Sequence, residues 1–374
     1  MFFGRGVGCV ELREVALLAK TPQVGRAFMT AFSLFRRGVA AGVFLGAIFC
    51  AAAAPFPEKP ITVIVPFAAG GGSDTFVRIF LKAIREHDLA PQSFVVKNIG
   101  GAGGTIGSRA ALEAKPDGYT ILCLHDGMYT AQHYGNADWG PADFTPIAAT
   151  GRSGVVVAVA DNSPYKDLAE LMADAVARPY QLVYGTNLGA PNHYSALFLQ
   201  NGKPGAKFRF TQTGGGAKRL AQLKGGHVDV TGFSVAEYEP FKEAGIRALA
   251  VLSEEREAAL PDLPTAREQE VDAIHGLMQF WWAPKGTPPD RVAYLEKLLR
   301  QVMETSTVQA RLAQLHVEPE FHVGDDLQAV IQERSRDLEG LQLEKPAALP
   351  PVHWLVLGFV GLCSVWVWRE GKPV

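Results

Sequence analysis

A chain of 374 residues that is 48% hydrophobic and 20% charged can bury a sizeable core and divide into two domains. Its net charge of −2 gives no basic footprint for nucleic acid. The four cysteines, Cys9, Cys50, Cys123 and Cys363, are scattered and lack the Cys/His spacing of a zinc site, so neither a metal nor another cofactor is expected.

Residues 1–54 are expected to be a targeting segment. Gly38–Ala54 is apolar, follows Arg36-Arg37 and ends in alanines, as a secretory signal cut near Ala54 would. Met29 offers a start that would give a signal of ordinary length. An uncut N-terminal anchor is the alternative. Phe49 is too bulky to precede a lipidated Cys50, and the residues around Arg36-Arg37 match a twin-arginine signal poorly.

Ile61–Val65 is an apolar, β-branched run and predicts a strand. Three glycines follow, Gly70, Gly71 and Gly72, then Ser73-Asp74 and a helix over Thr75–Arg85, with Ser73 as the N-cap candidate. This strand, glycine turn and helix start form an anion cradle. Glycine lets backbone come close to a ligand, and free N–H groups at a helix N-terminus favour negative charge. Such a cradle does not by itself name the anion. Asp74 either anchors the helix or accepts a ligand hydroxyl or ammonium; its own charge argues against contact with an anionic group.

Ser93–Lys97 predicts a second strand, leading through the glycine-rich Asn98–Gly107 into a helix over Ser108–Ala114. Neither glycine loop satisfies G-x-G-x-x-G, because the third position is Thr75 in the first and Ile106 in the second. Thr120–Leu124 predicts a strand ending at His125-Asp126. Without a nucleophile motif nearby, these two read as loop residues lining a pocket or solvent. Further strands are expected over Phe144–Ala149, Gly154–Ala160, Gln181–Gly185, Phe208–Thr213, Val228–Thr231 and Arg247–Leu252. Helices are expected over Pro164–Ala177, Tyr194–Gln200 and Ala217–Lys224. Lys218 and Arg219 read as solvent-facing. Repeated strand–small-residue loop–helix units imply parallel sheets flanked by helices, with ligands at the carboxyl ends of the strands.

Val352–Trp368 carries no Asp, Glu, Lys or Arg, has Trp354 near one end and Trp366 and Trp368 at the other, and precedes Arg369 and Lys372. It is expected to be a transmembrane helix with a cytoplasmic C-terminus, a buried terminal helix being the alternative. Residues 343–351, with three prolines, read as the linker before it.

The blocks FPEKPITVIVPFAAGGGSD, GGAGGTIGSRAALEAKPDGYTIL, GGHVDV, LPDLPTAREQEV and APKGTPPDRVAYLEKL, in this order between Phe56 and Gly340, resemble the tripartite tricarboxylate transporter substrate-receptor (Bug) family. The resemblance implies a two-lobed α/β fold of the type II periplasmic-binding-protein kind, each lobe a mainly parallel sheet, with crossing hinge strands. Residues 55–159 and 248–342 would form lobe 1 and 160–247 lobe 2. It implies a periplasmic receptor that captures a small organic anion, chiefly a carboxylate, for membrane permease subunits, and that is not an enzyme. The C-terminal helix would hold it to the cytoplasmic membrane, and it is expected to be monomeric.

Carried onto this sequence, the ligand-binding positions are Phe67, Ala68, Gly70, Gly71, Gly72, Ser73 and Asp74 in the first loop, His125 after the third strand, and Thr186, Ala190, Asn192, His193, Thr213 and Gly214 in the second lobe. Asn98-Ile99-Gly100, His125–Thr130 and Thr211-Gln212-Thr213 depart from the family's usual residues. The alternative function is a membrane-tethered ligand-sensing module; an enzyme is the third, with no nucleophile constellation behind it.

Overall fold

The computed structural model describes residues 56–341 and residue 343. The expected signal, the start at Met29, nearly all of the linker and the tail helix over 352–368 lie outside the described residues. Contacts divide the chain into Met1–Glu58 and Lys59–Val374. Of the first unit only residues 56–58 are described, and every element below belongs to the second.

In chain order the elements begin with β1 (Ile61–Val65), α1 (Gly72–Glu86), β2 (Phe94–Asn98), α2 (Thr105–Leu112), β3 (Thr120–Leu124) and α3 (Gly127–Tyr134). Next come β4 (Phe144–Ala160), α4 (Leu168–Ala177), β5 (Val183–Thr186), α5 (Pro191–Gly202), β6 (Arg209–Gln212), α6 (Gly216–Lys224), β7 (Val230–Ser234) and α7 (Val235–Tyr238). The chain closes with β8 (Ile246–Val251), β9 (Gly276–Pro284), α8 (Pro289–Met303), α9 (Ser306–Gln314) and α10 (Gly324–Glu339).

β2, β1 and β3 pair in parallel, and β9 continues that sheet antiparallel to β3. The second parallel group is β6, β5 and β7. β4 belongs to both sheets: Phe144–Gly154 pairs with β9, and Val155–Ala160 lies between β7 and β8. The stretch expected as two strands is therefore one 17-residue strand, irregular between Ala149 and Arg152, that crosses from sheet to sheet. Its GVVVAVA half is nearly all buried, as suits a strand covered on both faces.

α1 shows why these sequences fold as they do. Phe76, Val77, Ile79, Phe80, Ala83 and Ile84 recur at helical spacing and are buried, while Arg78 and Lys82 stay in solvent. Phe80 packs against Trp281 of β9, whose indole, like that of Trp282, is fully buried. One core cluster joins Ile64, Leu122 and Trp282 to Tyr194 and Leu197 of α5, so the two sheets share packing rather than meeting only at β4.

The transmembrane helix expected as part of the fold is corrected. Among the described residues no helix is long and apolar enough to cross a membrane. The last described helix, α10, buries only Leu327 and Leu338 and opens on Asp325-Asp326, the pattern of a surface helix.

Candidate functional site

In each sheet the central strand of the parallel group, β1 or β5, has a neighbour on either side to which the chain returns by a crossover. That is the switch point outside whose carboxyl ends α/β sheets bind ligands. The helices that follow β1, β2, β3, β5 and β6 all begin without a side-chain cap. Elsewhere Asp167 caps α4, Ser234 caps α7 and Thr305 caps α9, while α8 and α10 also begin without a side-chain cap, so it is the position at the switch points that sets the first group apart. An uncapped helix start leaves backbone N–H groups free for another acceptor.

The turn after β1 is built around Asp74. Its carboxylate is buried; Oδ2 accepts from the Gly70 N–H and from Arg78 Nε, both at 2.8 Å, and Oδ1 accepts from Asn98 Nδ2 at 3.0 Å. Asn98 Nδ2 also donates to the Phe67 carbonyl at 3.1 Å. Burial pushes the carboxyl's pKa up, but the hydrogen bonds from Arg78, Gly70 and Asn98 outweigh it and hold the group below its ordinary value. Asp74 is thus the loop's internal anion, and it takes up the Gly70 amide.

Gly71, extended at φ −76°, ψ 170°, is the N-cap, and the Thr75 N–H makes the first helical bond, to its carbonyl at 2.9 Å. The amides of Gly72, Ser73 and Asp74 precede that bond. A Cβ added at Gly72 would meet nothing within 4 Å, so the helix start faces open space. Ser73, expected as the cap, instead lies inside the first turn, and its side chain makes no capping bond. Ala68 shapes the turn by accepting from the Gly71 N–H at 3.3 Å.

Across the switch point the Phe67 ring stacks on His125 with centroids 5.2 Å apart. His125 Nδ1 accepts from the Gly127 N–H at 3.1 Å, which places the ring proton on Nε2. Burial lowers its pKa to about 4, so the imidazole is neutral at neutral pH. Asp126 is engaged elsewhere: it accepts from the Met278 N–H at 2.6 Å and faces Arg334 at 3.7 Å, pinning α3 to β9 and α10. The second glycine run packs rather than cradles. A Cβ at Gly107 would lie 2.4 Å from the Ile99 carbonyl oxygen and 2.8 Å from Pro66 Cα, so only glycine lets α2 close on the β1 turn.

The second sheet repeats the plan with Asn187 as its tie. Asn187 Oδ1 accepts from the Gly214 N–H at 2.8 Å, and its Nδ2 donates to the Gly214 carbonyl at 2.9 Å. Thr213 donates its N–H to the Thr186 carbonyl at 2.8 Å. These bonds stitch the turn after β5 to the turn after β6. Ala190 is the extended N-cap of α5, with Pro191 in the first helical position. Thr186 is fully buried, and its Oγ1 has no partner; neither has Asn192 Nδ2. Buried polar atoms normally find partners, so these two are the exceptions that call for an explanation.

His193 sits in an aromatic box, 2% exposed, with its ring edge-on to Tyr134 at 5.3 Å and Phe210 at 4.5 Å. Its Nδ1 accepts from the Gly189 N–H at 3.3 Å, and burial lowers its pKa to about 4. Arg219, expected in solvent, is 5% exposed; it bonds Glu237 at 2.8 Å and lies over the Phe233 ring.

The sequence-predicted residues therefore form two groups. Phe67, Ala68, Gly70–Asp74 and His125 gather at the start of α1, and Thr186, Ala190, Asn192, His193, Thr213 and Gly214 at the start of α5. Among the described residues no hydrogen bond runs directly between the groups; α3 links them. His133 Nδ1 donates to the Tyr194 hydroxyl at 2.8 Å, Tyr194 donates to the Thr130 carbonyl at 3.2 Å, and Asn136 Nδ2 donates to the Leu188 carbonyl at 2.9 Å. Asn98, Asn187, Tyr134 and Asn136 were not expected. Asn98 and Asn187 each stand where a strand gives way to its loop, a position where asparagine bonds neighbouring backbone, and that was the available signal.

Residues 78–343 match the family described as "Tripartite tricarboxylate transporter family receptor". The chain is 28% identical over 325 residues to the protein BugT of Bordetella pertussis, covering 82% of this chain and 97% of that one. Among solved structures it is similar to the periplasmic binding protein BugD, with 30% identity, a TM-score of 0.66 and coverage of 76% of this chain and 96% of that one. It is also similar to MatC of Rhodopseudomonas palustris with bound malate, with 27% identity, a TM-score of 0.67 and coverage of 76% and 99%. A protein of R. palustris with adipate gives 28% identity, a TM-score of 0.69 and coverage of 76% and 96%. These neighbours support the two-lobed binding-protein fold.

Proposed function

The chain belongs to the tripartite tricarboxylate transporter family of receptors, which bind rather than transform their solutes, and we propose that it captures a small organic carboxylate outside the cytoplasmic membrane and presents it to a permease of that transporter type. The observation that carries this reading is the pair of uncapped helix starts, α1 and α5, at the switch points of the two sheets, with unpartnered Thr186 Oγ1 and Asn192 Nδ2 beside the second. The malate and adipate held by the R. palustris neighbours agree in chemistry with such a donor set.

In this reading the Gly72 and Ser73 amides hold one carboxylate, with the N-terminal dipole of α1 behind them. Each hydrogen bond to a charged group contributes about 1.5–3 kcal/mol, so a few fixed donors supply useful affinity. His125 offers a neutral Nε2–H, and Thr186 and Asn192 offer neutral donors from the other lobe. A ligand held by both groups favours the conformation that brings them together, and its differential affinity sets the size of the shift. Asp74 acts from behind the loop, fixing its shape and keeping its own charge tied to Arg78.

Titration calorimetry with malate, adipate and citrate tests the proposal, with butanediol and butylamine as uncharged and cationic controls. Binding of at least one carboxylate and neither control is expected. A folded protein that binds no small carboxylate would overturn the reading.

A further inference from the structure

We propose that the groove between α1 and α9 is the docking face for an acidic segment of a partner protein. The groove holds about 550 Å³ and is lined by Arg78, Lys82 and Arg311, with Thr307 beside them and Ala69 and Gly70 on its rim. Its one acidic lining residue, Asp74, is 2% exposed and has both carboxylate oxygens engaged. The Arg78 and Lys82 side chains are 54% and 56% exposed. Arg78 pairs with Asp74 at 2.8 Å and Lys82 with Glu86 at 3.6 Å, yet both cations stay half-exposed, so with Arg311 the groove presents a local excess of positive charge in a chain whose net charge is −2.

The spacing selects the occupant. Arg78 and Lys82 stand one turn apart on α1 and Arg311 lines the same groove from α9, so the cations are contributed by both walls. A chain segment bearing several carboxylates can engage both, and a groove between two helices suits an extended segment better than a flat lipid surface does. Charge complementarity of this kind speeds and orients encounter. The groove also adjoins the first loop. Arg78 Nε holds Asp74, which holds the Gly70 amide, so a partner that grips Arg78 touches the same bonds that shape the turn after β1. Docking does not depend on the carboxylate-receptor reading; only its coupling to ligand rests on that reading.

The test uses the full chain, fluorescent hexaglutamate at low salt, and two double variants with equal change of net charge. K82E/R311E alters the groove, and K115E/K166E alters exposed lysines elsewhere. Hexaglutamate binding is expected to weaken on the order of tenfold in K82E/R311E and to hold in K115E/K166E, with hexalysine now preferring the groove variant. Equal weakening in both variants would overturn the proposal. So would displacement of the peptide by equimolar inorganic phosphate, which marks a small-anion site, or preferential groove-dependent binding of phosphatidylglycerol vesicles. Adipate calorimetry on the same variants keeps the outcomes separate, since unchanged adipate binding with lost peptide binding isolates the docking face.

Discussion

Gly72 carries a donor that can be removed with little else. It is the first helical residue of α1, where proline is well tolerated, and Gly71 before it already has the extended backbone that a following proline requires. Gly72→Pro deletes one amide hydrogen at the helix start. It is expected to weaken binding of the carboxylate that calorimetry selects by about tenfold or more, the equivalent of one hydrogen bond to a charged group. The melting temperature is expected to stay within a few degrees of the native value; calorimetry and thermal unfolding measure the two effects separately.

The buried histidines set a second expectation at this scale. Histidine takes its proton near 6.5 in the unfolded chain, but near 4 for His125 and His193 and near 3 for His275, because burial disfavours the charged ring. Between those values the unfolded state binds more protons, so their contribution to stability falls as pH drops from about 6.5 toward about 4, and for His275 toward about 3. His322 works in the opposite sense. Burial lowers its pKa, but its bonds to Glu320 and Asp326 outweigh that and hold it above the ordinary value, so its stabilisation is lost as pH rises through its folded pKa. The histidine part of the pH dependence is therefore expected to be a loss on acidification, measurable by urea unfolding across that range as the change in slope when His193 or His275 is replaced. Affinity for that carboxylate is expected to stay flat above pH 6.5, since His125 remains neutral there.

Individual roles were partly legible from sequence. The glycines, Ser73 and Asp74 marked a helix start, and the repulsion between carboxylates argued against Asp74 touching an anion's charge. That Asp74 takes up the Gly70 amide depends on Asn98, which comes from a strand 24 residues away along the chain. Local pattern cannot show that pairing.

Among the elements, β4 carries the most structural consequence. Thr150-Gly151-Arg152-Ser153 reads as a break, yet the chain passes through it as an irregularity in one strand. Pairing with β9 on one side and β7 and β8 on the other overrides the local turn signal, a tertiary effect outside the reach of propensity. α3 was missed for a related reason: it starts at Gly127 without a side-chain cap, so its beginning is unmarked. Gly154, where β4 passes from one sheet to the other, has Glu257 packed over it; a Cβ there would lie 2.1 Å from Glu257 Oε1. Burial holds the Glu257 carboxyl above its ordinary pKa, and its Oε1 has no partner. Gly154→Ala must displace this buried group and is expected to destabilise by about 1–3 kcal/mol. Chemical denaturation would show this as a lower midpoint with an unchanged slope.

For the whole molecule, the sequence-level resemblance supplied the two-lobed plan, and the solved neighbours agree with it. Among the described residues no helix is long and apolar enough to span a membrane, so that plan includes no spanning helix within them. The repeated βα grammar was visible because each parallel strand is apolar and each loop is rich in small residues. The contact of α3 with α5 was invisible, because His133, Tyr194 and Asn136 carry no signal of a partner in the other lobe. The account depends on two helix starts, one per lobe, acting on the same ligand. A crystal structure of the full chain saturated with the carboxylate that calorimetry selects tests this directly. The account expects one carboxylate within about 2.7–3.1 Å of the Gly72 or Ser73 amide and a polar contact from Thr186 Oγ1 or Asn192 Nδ2 to the same molecule. A carboxylate bound away from both helix starts, or touching only one lobe, would contradict it.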